Sequence, residues 1–328
     1  MNEKRKGRVY LVGAGPGDPG LITVKGLELI RRADVLIYDY LASDVFLAEA
    51  REDAEIIYVG KKGGDHTLSQ EGINRLLVEK AQEGKKVVRL KGGDPFIFGR
   101  GAEEAEELFD DGVHVEIVPG VTSAIAAPAY AGIPLTHRSH TSSVAFITGH
   151  EDPTKEVSSV HWDKIAKGVG TLVFLMGMSN LPKITRNLMD SGLGADTPVA
   201  LVRWGTTAQQ RTLIGTLKDI ADKAVKAGFA APSIIVVGSV VKLNENRNWF
   251  ESRPLFGKSV LVTRRREQAS QFARLLSEAG ANVIEFPTIQ IVPPQSWDEL
   301  DAEINDLPRY QWLIFTSING VANFSRRL

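Results

Sequence analysis

The chain has 328 residues, a formal net charge of −1 and no cysteine. That length allows two or three domains, each able to bury a real core. The balanced charge gives no field that would draw nucleic acid, and the lack of cysteine excludes disulfides, thiolate metal sites and a cysteine nucleophile.

The basic start, Met1 to Arg8, leads into no apolar stretch of signal-peptide type. The longest apolar run, near Val169 to Met178, is far short of the roughly 20 residues a membrane span needs. A cytoplasmic protein with no membrane or nucleic-acid partner is expected.

Val9 to Val12 predicts the first strand, and Leu21 to Ala33 a helix after it. Val35 to Tyr38 and Ile56 to Val59 are the next strands. Ser69 suits a helix N-cap, with the helix running to about Glu83 and Gly84 closing it. Val87 to Leu90 and Val115 to Val118 complete a first set. Strands apolar on both faces, alternating with helices, predict a mostly parallel sheet covered on both sides. The run Ala131 to Thr141, with Gly132 and Pro134, breaks the rhythm. A second set follows at Val144 to Thr148, Thr171 to Met176, Pro198 to Arg203, Arg211 to Gly215 and Ile234 to Val241. Its last members come without long helices between them, so part of this sheet is expected to be antiparallel.

Two α/β lobes are therefore predicted, about 7–135 and 136–242, joined near residue 135 around a cleft. Domain junctions of this kind often hold small molecules. Residues 243–256 are polar and irregular and read as a linker. A further α/β segment, 257–328, opens with the strand Ser259 to Thr263 and a helix Gln268 to Glu278 ended by Gly280. Val283 to Phe286 and Trp312 to Phe315 are its other predicted strands.

Three loops carry the chemical signals. Gly13-Ala14-Gly15-Pro16-Gly17-Asp18-Pro19-Gly20 follows the first strand, where glycines let a ligand approach the backbone. A dinucleotide fingerprint would need a small residue where Asp18 stands. Asp39 could still serve as a ribose-binding acid, which keeps a nicotinamide-dependent oxidoreductase as an alternative. The same glycines also suit a tight turn without a ligand. Lys91-Gly92-Gly93-Asp94-Pro95-Phe96-Ile97-Phe98-Gly99-Arg100-Gly101 follows the fourth strand, and its aromatic residues suit a pocket wall. Pro119 to Ala124 follows the fifth, and its small residues suit a flat ligand or tight helix packing equally. His137 and His140 lack a third metal ligand of suitable spacing, so no metal is expected. Glu103 to Glu107 reads as a solvated helix face, and Arg264-Arg265-Arg266 as a soluble turn.

In order and spacing these loops resemble the tetrapyrrole methylase family, closest to its branch that C-methylates uroporphyrinogen III. The resemblance runs from about Arg8 to Val241. It also includes Tyr38-Asp39, Gly60-Lys61-Lys62-Gly63 and Gly132-Ile133-Pro134-Leu135-Thr136-His137-Arg138. It implies two α/β lobes with S-adenosylmethionine held in the cleft between them. It implies uroporphyrinogen III as substrate, methylated twice to precorrin-2 towards sirohaem or cobalamin, and a homodimer, with methylation of a later precorrin as the alternative within the family. By position, the implied cofactor contacts are Pro16, Gly92, Gly93, Asp94, Ile97, Thr122, Ser123, Met176 and Gly205. Asp39 resembles the family's proton acceptor, Lys61 its proton donor, and Arg138 an arginine at the substrate end. Lys62, Lys91 and Arg100 could share in holding carboxylates or stand in solvent.

Residues 257–328 resemble the start of the uroporphyrinogen-III synthase family in Gly257 to Arg264, Gly280 to Val283 and Phe315 to Val321. A synthase of that family has two lobes with the chain crossing between them. Pro287 to Pro294 would be a crossing strand. With only part of such a domain, this chain is expected to show no synthase activity.

Overall fold

The structure is a computed structural model that describes residues 6–42, 44–60, 68–150, 159–245, 247–263, 266–289 and 292–328, with backbone only for 266–270. Two units separate by their contacts: one holds the chain up to Val260 with Arg274–Val283, the other Leu261–Ala273 with Ile284–Leu328.

The first unit contains both predicted lobes. In lobe one, β1 (Arg8–Gly13), α1 (Val24–Ile30), β2 (Val35–Tyr38), β3 (Glu55–Tyr58), α2 (Gln70–Gln82), β4 (Lys86–Lys91), α3 (Gly101–Asp110) and β5 (His114–Val118) alternate. Among the described residues the strands form a five-stranded parallel sheet in the order β3-β2-β4-β1-β5. Side chains alternate across a strand. Val9, Leu11, Val35, Ile37 and Val87 therefore meet α2 and α3 on one face, while Val12, Leu36, Val88 and Leu90 meet α1 on the other. Ser69 does cap α2, its hydroxyl accepting the Gly72 N–H, and Gly84 closes it at φ +85°.

Helix α4 (Ser123–Tyr130) leaves lobe one but packs on lobe two. Lobe two contains β6 (Val144–Thr148), α5 (Trp162–Gly168), β7 (Thr171–Leu175), α6 (Leu181–Asp190), β8 (Pro198–Arg203), β9 (Arg211–Thr216), α7 (Ile220–Lys226) and β10 (Ser233–Val237). Its sheet runs β6-β7-β10-β8-β9, with only β6 and β7 parallel. Ala124, Ala127 and Ala131 bring α4 against Val173, Val202 and Val236; such short side chains allow close approach. The last strand is shorter than expected. The chain turns at Gly238, where a Cβ would lie 2.6 Å from the Gly170 carbonyl oxygen, and Val240 and Val241 are buried from a short 3-10 turn instead.

Residues expected as a linker are docked on this unit. Trp249 Nε1 donates to the Ala129 carbonyl at 3.0 Å, and Phe250 is buried.

Further on, β11 (Ser259–Val262) and β12 (Asn282–Glu285) form a two-stranded sheet, with α8 (Arg266–Glu278) between them in the chain, and Gly280 ends the helix region at φ +98°. The second unit includes α9 (Asp298–Asn305) and α10 (Ile318–Ser325), with Phe315 and Phe324 rings 5.3 Å apart. The expected strand Trp312 to Phe315 is not formed, and Trp312 and Ile314 are 83% and 81% exposed. An extended apolar run becomes a strand only when a neighbour takes its backbone hydrogen bonds, and none of the described residues does so. The expected crossing strand Pro287 to Pro294 includes Gln290 and Ile291, and the arginine turn includes Arg264 and Arg265; these lie outside the described residues.

Candidate functional site

The sheet order sets β4, β1 and β5 side by side, so the three glycine-rich loops leave neighbouring strand ends. From β1 the chain crosses one way to β2, and from β4 the other way to β5. Open α/β sheets bind ligands at the carboxyl ends of strands where such connections diverge. The loops are packed backbone to backbone. A Cβ on Gly13 would lie 2.5 Å from Gly120 Cα, and one on Gly120 would lie 2.2 Å from the Gly93 carbonyl oxygen. Gly15 and Gly93 exchange hydrogen bonds of 3.2 and 2.7 Å, with φ of +80° and +68° that favour glycine.

Asp94 binds these loops together. Its Oδ2 accepts the Gly120 N–H at 2.9 Å, and its Oδ1 accepts those of Phe96 and Ile97 at 2.8 and 3.1 Å. Thr122 is buried and caps α4, accepting the Ala124 N–H at 3.3 Å, with Ser123 next to it. Phe96, Ile97 and Phe98 stand partly exposed beside this cradle.

Lobe two reaches the same place. A Cβ on Gly205 would lie 2.4 Å from Ala127 Cβ, so the loop after β8 lies against α4. Its Thr206 hydroxyl accepts the Asp18 N–H at 3.0 Å. The structure thus gathers the loops bearing Pro16, Gly92, Gly93, Asp94, Ile97, Thr122, Ser123 and Gly205. Met176 follows β7, a strand separated from β8 by β10, and is half-exposed. Among the described residues, Phe98, Arg100, Met176, Trp204 and Thr206 are the non-glycine residues with φ between +49° and +72°. All stand in loops after β4, β7 and β8. Such backbone costs of order 1–3 kcal/mol each, and it concentrates at ligand sites.

Asp39 follows β2 and has a structural partner. Arg89 Nη2 donates to its Oδ2 at 3.1 Å, and the Leu41 N–H donates to Oδ1 at 3.2 Å. Arg89 sits inside β4 with its side chain almost fully buried, and its Nε meets Glu104 Oε1 at 3.4 Å. Lys91 Nζ reaches the same oxygen at 2.7 Å, and Gln70 Nε2 at 3.2 Å. Glu104 is completely buried, and its Oε2 has no partner among the described residues. This corrects the reading of Glu103 to Glu107 as wholly solvated: α3 lies on the sheet face where Arg89 and Lys91 project, and an acid there neutralises them. Burial, with Arg89 beside it, pushes the Lys91 ammonium below the usual lysine range, while Glu104 pulls it back. Lys91 is therefore part of the interior and does not stand in bulk water. Arg100 is exposed and paired with Glu103.

Arg89 and Glu104 were missed from sequence. The available signal was a charge inside an apolar strand, which requires a buried partner. Arg138 is exposed on the turn closed by His137 and Thr141. No hydrogen bond or ion pair among the described residues joins it to Asp39. Lys61 and Lys62 lie outside the described residues. His137 and His140 rings are 5.0 Å apart, and the described residues hold no cluster of three or more metal-ligating side chains.

Residues 8–221 match the family described as tetrapyrrole (corrin/porphyrin) methylases. The chain belongs to the tetrapyrrole methylase family. Residues 270–328 match a second family, uroporphyrinogen-III synthase HemD. Over 318 residues the chain is 44% identical to the porphyrin biosynthesis protein HemD of Ruminiclostridium josui, covering 97% of this chain and 63% of that protein. The chain thus spans less than two thirds of that relative. Over 238 residues it is 55% identical to the uroporphyrinogen-III C-methyltransferase of Priestia megaterium, covering 73% of this chain and 100% of that one. A crystal structure of uroporphyrin-III C-methyltransferase from Thermus thermophilus, complexed with S-adenosylhomocysteine, is similar at a TM-score of 0.61 and 39% identity, over 72% of this methylase and all of that chain.

Proposed function

We propose that this methylase transfers methyl groups from S-adenosylmethionine to carbons of uroporphyrinogen III, giving precorrin-2 towards sirohaem or cobalamin. The observation that carries the proposal is the meeting of three glycine-rich loops at neighbouring strand ends, on the stretch shared with the named C-methyltransferases. An oxidoreductase is disfavoured by the same geometry. Asp18, at the position a dinucleotide fold keeps small, is committed to loop contacts, and Asp39 is held by Arg89.

The residues present fit the cofactor. A Cβ on Gly93 would find no atom nearer than 3.8 Å, and apolar side chains stand exposed beside that open cradle. Pro16, Gly92, Gly93, Asp94, Ile97, Thr122, Ser123, Met176 and Gly205 would hold it; for Asp94 the part is to shape the cradle. S-adenosylmethionine supplies an electrophilic methyl group. The protein's part is chiefly placement, which can contribute about 7–11 kcal/mol at best. The attacking carbon becomes nucleophilic as a proton leaves the macrocycle. Asp39 accepts that proton, its carboxylate aimed by Arg89, and Lys61 is the proton donor. Arg138 takes a substrate carboxylate in its guanidinium fork.

The proposed domain limits are 1–242 for the methylase, 243–256 for the joint and 257–328 for the synthase-like part. The matched ranges 8–221 and 270–328 support them. A cytoplasmic homodimer acting without nucleic acid or membrane completes the proposal. The balanced charge speaks against nucleic acid as partner, and among the described residues no helix is long and apolar enough to cross a membrane. Calorimetry separates the classes: S-adenosylhomocysteine should bind and NAD should not. Tight NAD binding without S-adenosylhomocysteine binding would reverse the assignment.

A further inference from the structure

The joint does more than connect. Two separate sets of contacts run from it to the glycine-rich loop after β1, and both end on Asp18.

The first is polar. Glu251 Oε1 accepts from Gln210 Nε2 at 3.0 Å and from the Thr212 hydroxyl. Gln210 Oε1 accepts the Thr206 N–H at 2.9 Å, and the Thr206 hydroxyl accepts the Asp18 N–H at 3.0 Å. Gln210 and Thr206 are both buried, with Thr206 held at φ +72°. The second is aromatic. Trp249 and Phe250 lie 5.0 and 4.8 Å from the Tyr130 ring, with the Arg253 guanidinium over both at 4.7 and 4.9 Å. The Tyr130 hydroxyl donates to Asp18 Oδ2 at 2.7 Å. Burial, and then this bond, raise the Tyr130 pKa, so the donor keeps its proton at neutral pH. Asp18 uses its other oxygen to accept the Gly20 N–H at 2.8 Å, closing the turn that follows.

A loop this rich in glycine samples many conformations when it is not held. A ligand that needs one of them binds more weakly in proportion to the time the loop spends elsewhere. Contacts that fix the loop beforehand therefore raise affinity without touching the ligand. We propose that the joint is a working part of the methyl-donor site: Glu251 and Tyr130 are positioning residues that hold Gly15–Gly20 in its binding conformation. This rests on the cofactor assignment above. At its far end the same joint holds the residue after α8, the Leu255 N–H donating to the Ala279 carbonyl at 2.9 Å, within the stretch that matches the synthase family. The joint thus ties the start of one family's stretch to the cofactor loop of the other.

The test uses the full chain with Glu251→Leu, Glu251→Gln and Tyr130→Phe. Both bonds to Glu251 fall on one oxygen, which glutamine can reproduce. Glu251→Leu and Tyr130→Phe should each bind S-adenosylhomocysteine about threefold to tenfold more weakly, while Glu251→Gln stays near the parent. Without ligand, hydrogen exchange at the Asp18 and Gly20 amides should quicken in the first two variants and not in the third. Tyr130→Phe removes one hydroxyl and decides the matter should Glu251→Leu fail to fold. Unchanged affinity and exchange in both disrupting variants would overturn the proposal. So would an equal loss in Glu251→Gln, which would mean a general packing defect. Quickened loop exchange in a chain whose parent binds no S-adenosylhomocysteine would uphold the positioning and remove the cofactor assignment instead.

Discussion

Asp39 shows what a single residue reveals from sequence and what it hides. Its place at a strand end was legible because Val35 to Tyr38 is an unmistakable apolar run. Its partner was not, since Arg89 lies 50 residues away. The two meet only because β2 and β4 are neighbours, with Ile37 opposite Arg89 in register. Glu104 was hidden for the same reason: a row of acids on a helix looks solvated until the facing sheet is known to carry two cations. The pairing sharpens the role proposed for Asp39, because a carboxylate aimed by a buried arginine loses little freedom when it takes a proton. Asp39→Asn should keep S-adenosylhomocysteine affinity and lower turnover by about two to four orders of magnitude, the usual worth of a general base. Steady-state turnover equal to the parent would remove Asp39 from the mechanism.

At the scale of elements, the parallel strands of lobe one were readable because burial on both faces leaves continuous apolar runs. The Ser69 cap was readable because its hydroxyl acts locally. Strand order was not, since it depends on which crossover each helix makes, and the closeness of the three loops follows from that order. The docking of the joint was not readable, because the partners of Trp249 and Phe250 lie on α4, far back in the chain. The meeting of the loops is directly testable. Gly120→Ala would drive a methyl group to 2.2 Å from the Gly93 carbonyl oxygen, so the loops must part. Overpacking of this kind costs about 1–3 kcal/mol, and affinity for S-adenosylhomocysteine should drop by about tenfold or more. Gly168→Ala is the control: its added methyl meets nothing within 4 Å, and titration should match the parent. Equal affinities for all three proteins would mean that the loops do not form the binding site.

For the molecule as a whole, the sequence carried the two families because their motifs are short, ordered and rich in glycine, and such signals survive without knowledge of packing. What it did not carry was how the second family's stretch is joined to the first, which depends on contacts between residues more than 100 positions apart, such as Trp249 with Ala129 at a separation of 120. If the paired lobes form a methyl-transfer site for a tetrapyrrole, one reaction reports it. The most direct measurement is the mass of the tetrapyrrole after the full chain is incubated with uroporphyrinogen III and S-adenosylmethionine under reducing conditions. The expected result is the added mass of one methyl group and then of two, with S-adenosylhomocysteine formed in step. An unchanged tetrapyrrole mass, from protein that demonstrably binds S-adenosylhomocysteine, would contradict it.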